Sequence, residues 1–166
     1  PLLSALTQGW AIGWASTPYD PRWATRFPRR AALMSAAGPA ANFLLALIAF
    51  TLLKLGVAGG WFGTGDVLFR DLLSGNKDGR YEGYPEQILL VVLFLNVLLF
   101  VFNLIPVPPL DGGTAIGLFL PEGAAKRLRD LRQTPYLSMI GFAIAYFGFP
   151  YVVGPIIGFV NALLQA

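Results

Sequence analysis

The sequence predicts an all-α, polytopic membrane protein, and three observations carry that reading. Of 166 residues, 55% are hydrophobic and only 13% charged, whereas soluble domains carry about 25% charged residues. Apolar runs long enough to cross a bilayer alternate with short charged stretches. The second of these runs is interrupted by prolines in FNLIPVPPLDGG, residues 102–113, which predicts an extended segment immediately before an Asp-Gly pair. The chain reads as a single membrane-embedded domain over 1–166, with spans at approximately 31–55, 86–104 and 136–165. Cysteine and histidine are both absent, so neither a disulfide framework nor a thiolate site exists. A net charge of +3, from 12 basic and 9 acidic side chains, suits charged membrane flanks better than a nucleic-acid surface.

In chain order, residues 1–8 form a short apolar lead-in, and GWAIGWASTPYD (9–20) has too few consecutive apolar residues to span. Trp10, Trp14, Tyr19 and Trp23 are the residues that a membrane interface collects, because each ring is apolar with one wet edge. The Gly/Trp spacing also permits a short extended strand, so an interfacial anchor and a substrate-pairing edge both stay open. Arg22, Arg26, Arg29 and Arg30 follow as a basic flank beside one acid, Asp20.

Residues 31–55 then read as the first span, long enough at about 1.5 Å per residue to cross a core of about 30 Å. Within it lies Gly38-Pro39-Ala40-Ala41-Asn42. Gly and Pro are tolerated in membrane helices, and small residues let neighbours approach closely. Asn42 is compatible with interhelical hydrogen bonding or with an amide aimed at a peptide backbone or an oxyanion. Residues 56–85 form a polar, Gly-rich loop, with a turn at 75–79 and room for a helical turn at 67–73. The second span, 86–104, carries Asn96 and Asn103, seven residues apart and so on one helix face.

The proline cluster comes next. Pro106, Pro108 and Pro109 remove backbone donors and disfavour helix in the residues before them, so the chain should run extended from about Leu104 to Leu110. Asp111 stands where a short helix, 112–120, can begin. An irregular backbone and an acid beside a membrane span are costly unless buried in protein or lining a wet cavity. Asp111 is therefore either a functional carboxylate or a helix cap at the membrane surface. Residues 122–133 carry four basic side chains against two acids and should lie along the membrane surface. The final apolar stretch contains Pro150, so it reads as one kinked crossing or a re-entrant pair, with Gly154 and Gly158 spaced for close helix packing.

Charge sets the expected topology. The flank at 20–30 holds four basic residues and one acid, while Lys54 to Glu86 holds four basic and five acidic. Basic loops stay cytoplasmic, which places 22–30 and 122–133 inside and 60–85 outside. With no native cysteine as background, single cysteines at Ser74 and Arg129 should separate cleanly. An impermeant thiol reagent on intact cells is expected to label position 74 and spare position 129; the reverse pattern overturns the topology.

Asn103-x-x-Pro106-x-x-x-x-Asp111-Gly112 resembles the signature of the site-2 protease family, the intramembrane zinc metalloproteases. Gly38-Pro39-x-x-Asn42, one span earlier, resembles that family's second motif, and GWAIGWASTPYDPRW is similar to the connecting loop of its small bacterial members without a PDZ domain. The resemblance covers roughly residues 9–120. Position 16 is serine where the family's loop usually has lysine, so that lysine's role is not carried over. The resemblance implies a Zn²⁺ held by two histidines of a HExxH helix and by the Asp-Gly aspartate, here Asp111, with the HExxH glutamate as general base. It further implies that Asn42 steadies the substrate or the tetrahedral intermediate, and that Asn103 is a supporting amide. The implied partners are the lipid bilayer and transmembrane protein substrates, and the implied location is the bacterial inner membrane.

One departure matters. Without histidine there is no HExxH in these residues, so the expectation is that the catalytic helix lies before Pro1 in a longer chain and that the 166 residues alone are inactive. Two other classes compete: a non-catalytic, protease-like membrane protein that grips helices, and a transporter or channel piece with an ion site in the broken segment. Neither an internal repeat nor a second matching broken helix supports the transporter reading.

Overall fold

The computed structural model describes residues 21–62, 84–107, 110–121, 123–125, 127–128 and 135–165. The expected interfacial loop at 1–20, the turns within 63–83 and most of the basic segment 122–133 lie outside those residues.

Among the described residues there is no strand, and the elements are helical throughout. A short helix α1 (Pro21–Arg26) is separated by Phe27 from α2 (Pro28–Ala58). Proline at the first position of α2 suits a helix start, since its missing N–H would have had no helical partner there. Helix α3 (Tyr84–Leu104) is followed by the proline break, the one-turn helix α4 (Gly112–Ala115) and a 3-10 turn at Ile116–Leu118. The last helix, α5, runs from Pro135 to Gln165. Three stretches are long and apolar enough to cross a membrane: Pro28–Ala58, Pro85–Leu104 and Met139–Gln165.

The core is a seam between α2 and α3. Ala46, Ala49 and Leu53 of α2 meet Leu90, Leu93, Phe94, Val97 and Val101 of α3. Phe43, at the middle of α2, lies 5.3 Å from Phe100, late in α3, and Asp111, just beyond α3, lies against Gly38, nearer the start of α2, so the two spans run antiparallel. The seam pairs small residues on α2 with large ones on α3, which lets the helix axes approach closely. Helix α5 covers this seam from one side with Ile157, Val153, Ile156 and Val160. Phe102 anchors the other end of that contact, edge-on to Phe149 at 5.3 Å and to Phe142 at 6.4 Å.

Helix α5 is continuous through both Pro150 and Pro155. Proline is tolerated within membrane helices because the surroundings can re-satisfy the freed carbonyls. The spacing of Gly154 and Gly158 suggests a close contact, but nothing among the described residues lies within 4 Å of a Cβ built at either position. That stripe is on the flank of α5 turned away from the seam.

At the far end of α2 the chain reverses sharply. Trp61 and Phe62 both donate their N–H to the Gly56 carbonyl, at 2.9 and 3.2 Å. Gly60 adopts φ +70°, the left-handed conformation that glycine takes without penalty. Trp61 is left 80% exposed just past the end of the span, where an indole suits the membrane interface.

Candidate functional site

The proline break does more than end a helix. Helix α3 stops at Leu104, and the following residues close in two tight turns. The Val107 N–H donates to the Ile105 carbonyl at 2.8 Å and the Leu110 N–H to the Val107 carbonyl at 3.0 Å. Residues 105–107 are non-helical, as Pro106 requires, but more tightly folded than a straight strand. These turns bring the chain back onto the end of α3. A Cβ at Gly112 would lie 2.5 Å from the Leu104 carbonyl carbon and 2.6 Å from the Ile105 oxygen. Backbone rests directly on backbone there, a separation that no side chain permits. Gly112 is therefore set by close approach, since its φ is not positive.

Doubling back delivers Asp111 to α2. A Cβ at Gly38 would sit 3.2 Å from Asp111 Oδ2. Six residues further on, a Cβ at Gly117 would be 4.0 Å from that of Ala32. The stretch from Asp111 to Gly117 thus lies along the first turns of α2, antiparallel to it. Ala31 and Ala32 are buried beneath it, and Pro39 is among the most completely buried side chains. Small side chains on α2 are what make this close lie possible. Pro39 also has no N–H to give to the carbonyl of Ser35, which loosens the helix one turn before the carboxylate.

The carboxylate does not act as a helix cap. Asp111 already has helical angles, φ −62° and ψ −36°, and its side chain makes no capping hydrogen bond. What starts α4 is its backbone: the Asp111 carbonyl accepts from the N–H groups of Thr114 and Ala115 at 2.9 and 2.8 Å. Asp111 is half-buried, and the neighbouring face of α2, formed by Ala37, Gly38 and Ala41, is exposed. The acid therefore sits at an open margin of the helix packing.

The three amides differ. Asn96 is 8% exposed, and its Nδ2 donates to the Val92 carbonyl of its own helix at 2.8 Å. Asn42 and Asn103 are half-buried, and among the described residues neither makes a comparable bond. Asn42 follows Gly38 by one helical turn, so it shares the face on which Asp111 lies. Asn103 sits in the last turn of α3, immediately before the break. The structure thus brings the Gly38-Pro39-Asn42 motif and the Asp111-Gly112 motif to one place. The sequence marks Gly38 as a small residue suited to close helix approach, but neither spacing nor composition shows that Asp111 is what approaches it.

As a metal centre this constellation is incomplete. Among the described residues no group of three or more His, Cys, Asp or Glu side chains gathers to hold an ion. Asp111 fits as one oxygen ligand, being an acid at an open margin that is not engaged in capping.

The sequence profile of Peptidase family M50 matches residues 15–148, and the two motifs brought together here fall inside that match. The chain belongs to Peptidase family M50. This is the site-2 protease family that the motifs resemble. The M50 chain is 30% identical over 147 residues to "Putative zinc metalloprotease YwhC" of Bacillus subtilis (strain 168), an alignment covering 88% of this chain. It spans 60% of that relative's length. No solved structure matches it. Membership of M50, together with three helices apolar and long enough to span, identifies a membrane-embedded chain of a metallopeptidase family.

Proposed function

We propose that this chain supplies the carboxylate zinc ligand and the substrate-steadying amides of an intramembrane zinc endopeptidase that cuts transmembrane segments of other membrane proteins. The observation that supports this most is the meeting of Gly38 and Asp111, which unites two sequence-distant motifs at one carboxylate. Kinship with a Bacillus protein supports a bacterial plasma-membrane location.

In this reading Asp111 is one protein ligand, held by the bend at 105–107, by the Leu110 N–H bond to the Val107 carbonyl and by the bare backbone of Gly112. Zinc, when bound, would polarise the scissile carbonyl and lower the pKa of its water. As a half-buried carboxylate, Asp111 would offset part of the bound cation's charge. Asn42, a turn along the same face, is placed to donate to a peptide oxygen beside the metal. Asn103 and the broken backbone after it offer hydrogen-bonding groups to a substrate strand leaving its helix. The family's histidines and general base are not among these 166 residues, so the 166-residue chain should by itself retain no zinc through dialysis.

The test uses the whole natural protein. Zinc should be present after purification, and a chelator should remove both the metal and the cleavage of a membrane-embedded reporter segment, with both restored by added zinc. Cleavage that persists after the metal has been stripped overturns the proposal. Asn42→Ala should lower the cleavage rate about 100-fold or more, the usual consequence of losing an oxyanion donor, while zinc content stays unchanged. A parallel loss of zinc would assign Asn42 to the metal's surroundings instead.

A further inference from the structure

The start of α2 carries a second constellation, independent of the carboxylate site. Arg22, Arg26, Arg29 and Arg30 are all exposed, and neither α1 nor the first turn of α2 contains an acid. Between the two helices Phe27 leaves the helical region, with φ −129° and ψ 65°. Two arginines converge on its ring. The Arg26 guanidinium carbon lies 5.4 Å from the ring centroid and that of Arg30 lies 5.0 Å away. Trp23 approaches the same ring at 6.3 Å.

Ring attraction offsets only part of the cost of this arrangement. Arg26 and Arg30 converge on one ring, and like charges held that close repel. The adjacent helix end also presents the positive pole of its dipole. An anion shared by the two guanidiniums would turn repulsion into attraction, and their planar forks match the oxygens of a phosphate. The setting indicates where that phosphate comes from. Helix α2 is a candidate membrane span from Pro28 onwards, so Phe27 and its arginines stand at headgroup depth. Leu33 and Met34, 59% and 44% exposed, continue from the cationic patch as an apolar surface suited to an acyl chain.

We infer that Arg26, Arg30 and Phe27 form the centre of a docking surface for an anionic phospholipid, with Arg22 and Arg29 as its cationic rim. Aromatic pinning is what sets this apart from a general attraction of basic flanks to the membrane. The ring holds two guanidiniums in place before the lipid arrives.

The experiment places the whole natural protein in nanodiscs of phosphatidylcholine doped with spin-labelled phosphatidylglycerol or spin-labelled phosphatidylcholine. The immobilised fraction of each lipid is then measured. The unmodified protein should retain phosphatidylglycerol in preference. Arg26→Gln with Arg30→Gln should reduce that preference by roughly five-fold per charge removed. Arg22→Gln with Arg29→Gln should reduce it less. Phe27→Leu, which keeps every charge, should also weaken it. Thermal melting of the arginine variants, all at exposed positions, should match that of the parent in pure phosphatidylcholine, and Phe27→Leu should still give a cooperative melt. Equal retention of the two lipids by the unmodified protein overturns the inference. So do equal losses in the two arginine pairs, which would reduce the effect to net charge. Abolition of the preference by millimolar inorganic phosphate would assign the patch to a soluble anion and equally overturn it.

Discussion

Asp111→Asn in the whole natural protein is expected to abolish cleavage and to weaken zinc binding by more than the roughly 10–100-fold that follows loss of an outer hydrogen-bond partner. Asparagine keeps the shape and volume of aspartate. It loses the negative charge, and its amide oxygen is a poorer donor to zinc than a carboxylate. If the side chain only capped α4, asparagine would replace it almost without effect. Asp111 instead contributes to α4 through its backbone carbonyl and makes no side-chain capping bond. The variant should therefore insert and melt like the parent while its metal is lost. Zinc analysis, reporter cleavage and thermal melting on one preparation separate these effects. Full zinc occupancy with normal cleavage would remove Asp111 from the metal.

Gly112→Ala should be strongly damaging for a single added methyl group. The added carbon would fall within about 2.6 Å of backbone atoms of Leu104 and Ile105, and backbone cannot swing aside as a flexible side chain can. Overpacking of this kind typically costs about 1–3 kcal/mol, and the loop relieves it by lifting off α3 and carrying Asp111 with it. Stability and zinc affinity should fall together. Gly38→Ala offers a sharper comparison. Its methyl group would press on Asp111 Oδ2 from 3.2 Å, which asks the carboxylate to yield by a few tenths of an ångström. Alanine is also the better helix former. Gly38→Ala should thus melt no lower than the parent, yet bind zinc more weakly. Gly154→Ala, where nothing among the described residues lies within 4 Å, should change neither property. Unchanged zinc affinity in both Gly112→Ala and Gly38→Ala would mean that the approach of these backbones does not place the acid.

The fold was legible where the causes are local. Continuous apolar runs announce spans because the bilayer asks for length and apolarity alone. Pro106 announces the break after α3 because it blocks the helix within its own neighbourhood. Less could be read where the cause lies elsewhere in the fold. The passage of α5 through Pro150 and Pro155 depends on what surrounds those prolines. Asn42, Asn96 and Asn103 are chemically identical, and only their surroundings show that one is bonded to its own helix and two are not. The meeting of Gly38 with Asp111 could be expected from the family resemblance, but no spacing or periodicity implies it. It arises because α2 and α3 pack antiparallel, and because the turn after α3 folds back rather than continuing outward.

The Asn96 hydrogen bond to Val92 has a consequence for biogenesis. A polar side chain that reaches lipid without a partner opposes entry of its helix into the bilayer. Asn96 carries its acceptor within the same helix, and so does Thr51 in the first span, whose Oγ1 donates to the Leu47 carbonyl at 2.8 Å. Each of these two side chains can therefore enter the bilayer already partnered within its own helical rod, an arrangement that, among the described residues, Asn42 and Asn103 do not share. The contact between Asp111 and α2 requires two rods and the loop between α3 and α4 to be in register. It can form only when the inserted helices later find one another, so a nascent chain would not yet hold Asp111 against α2 while its segments are still being threaded into the membrane.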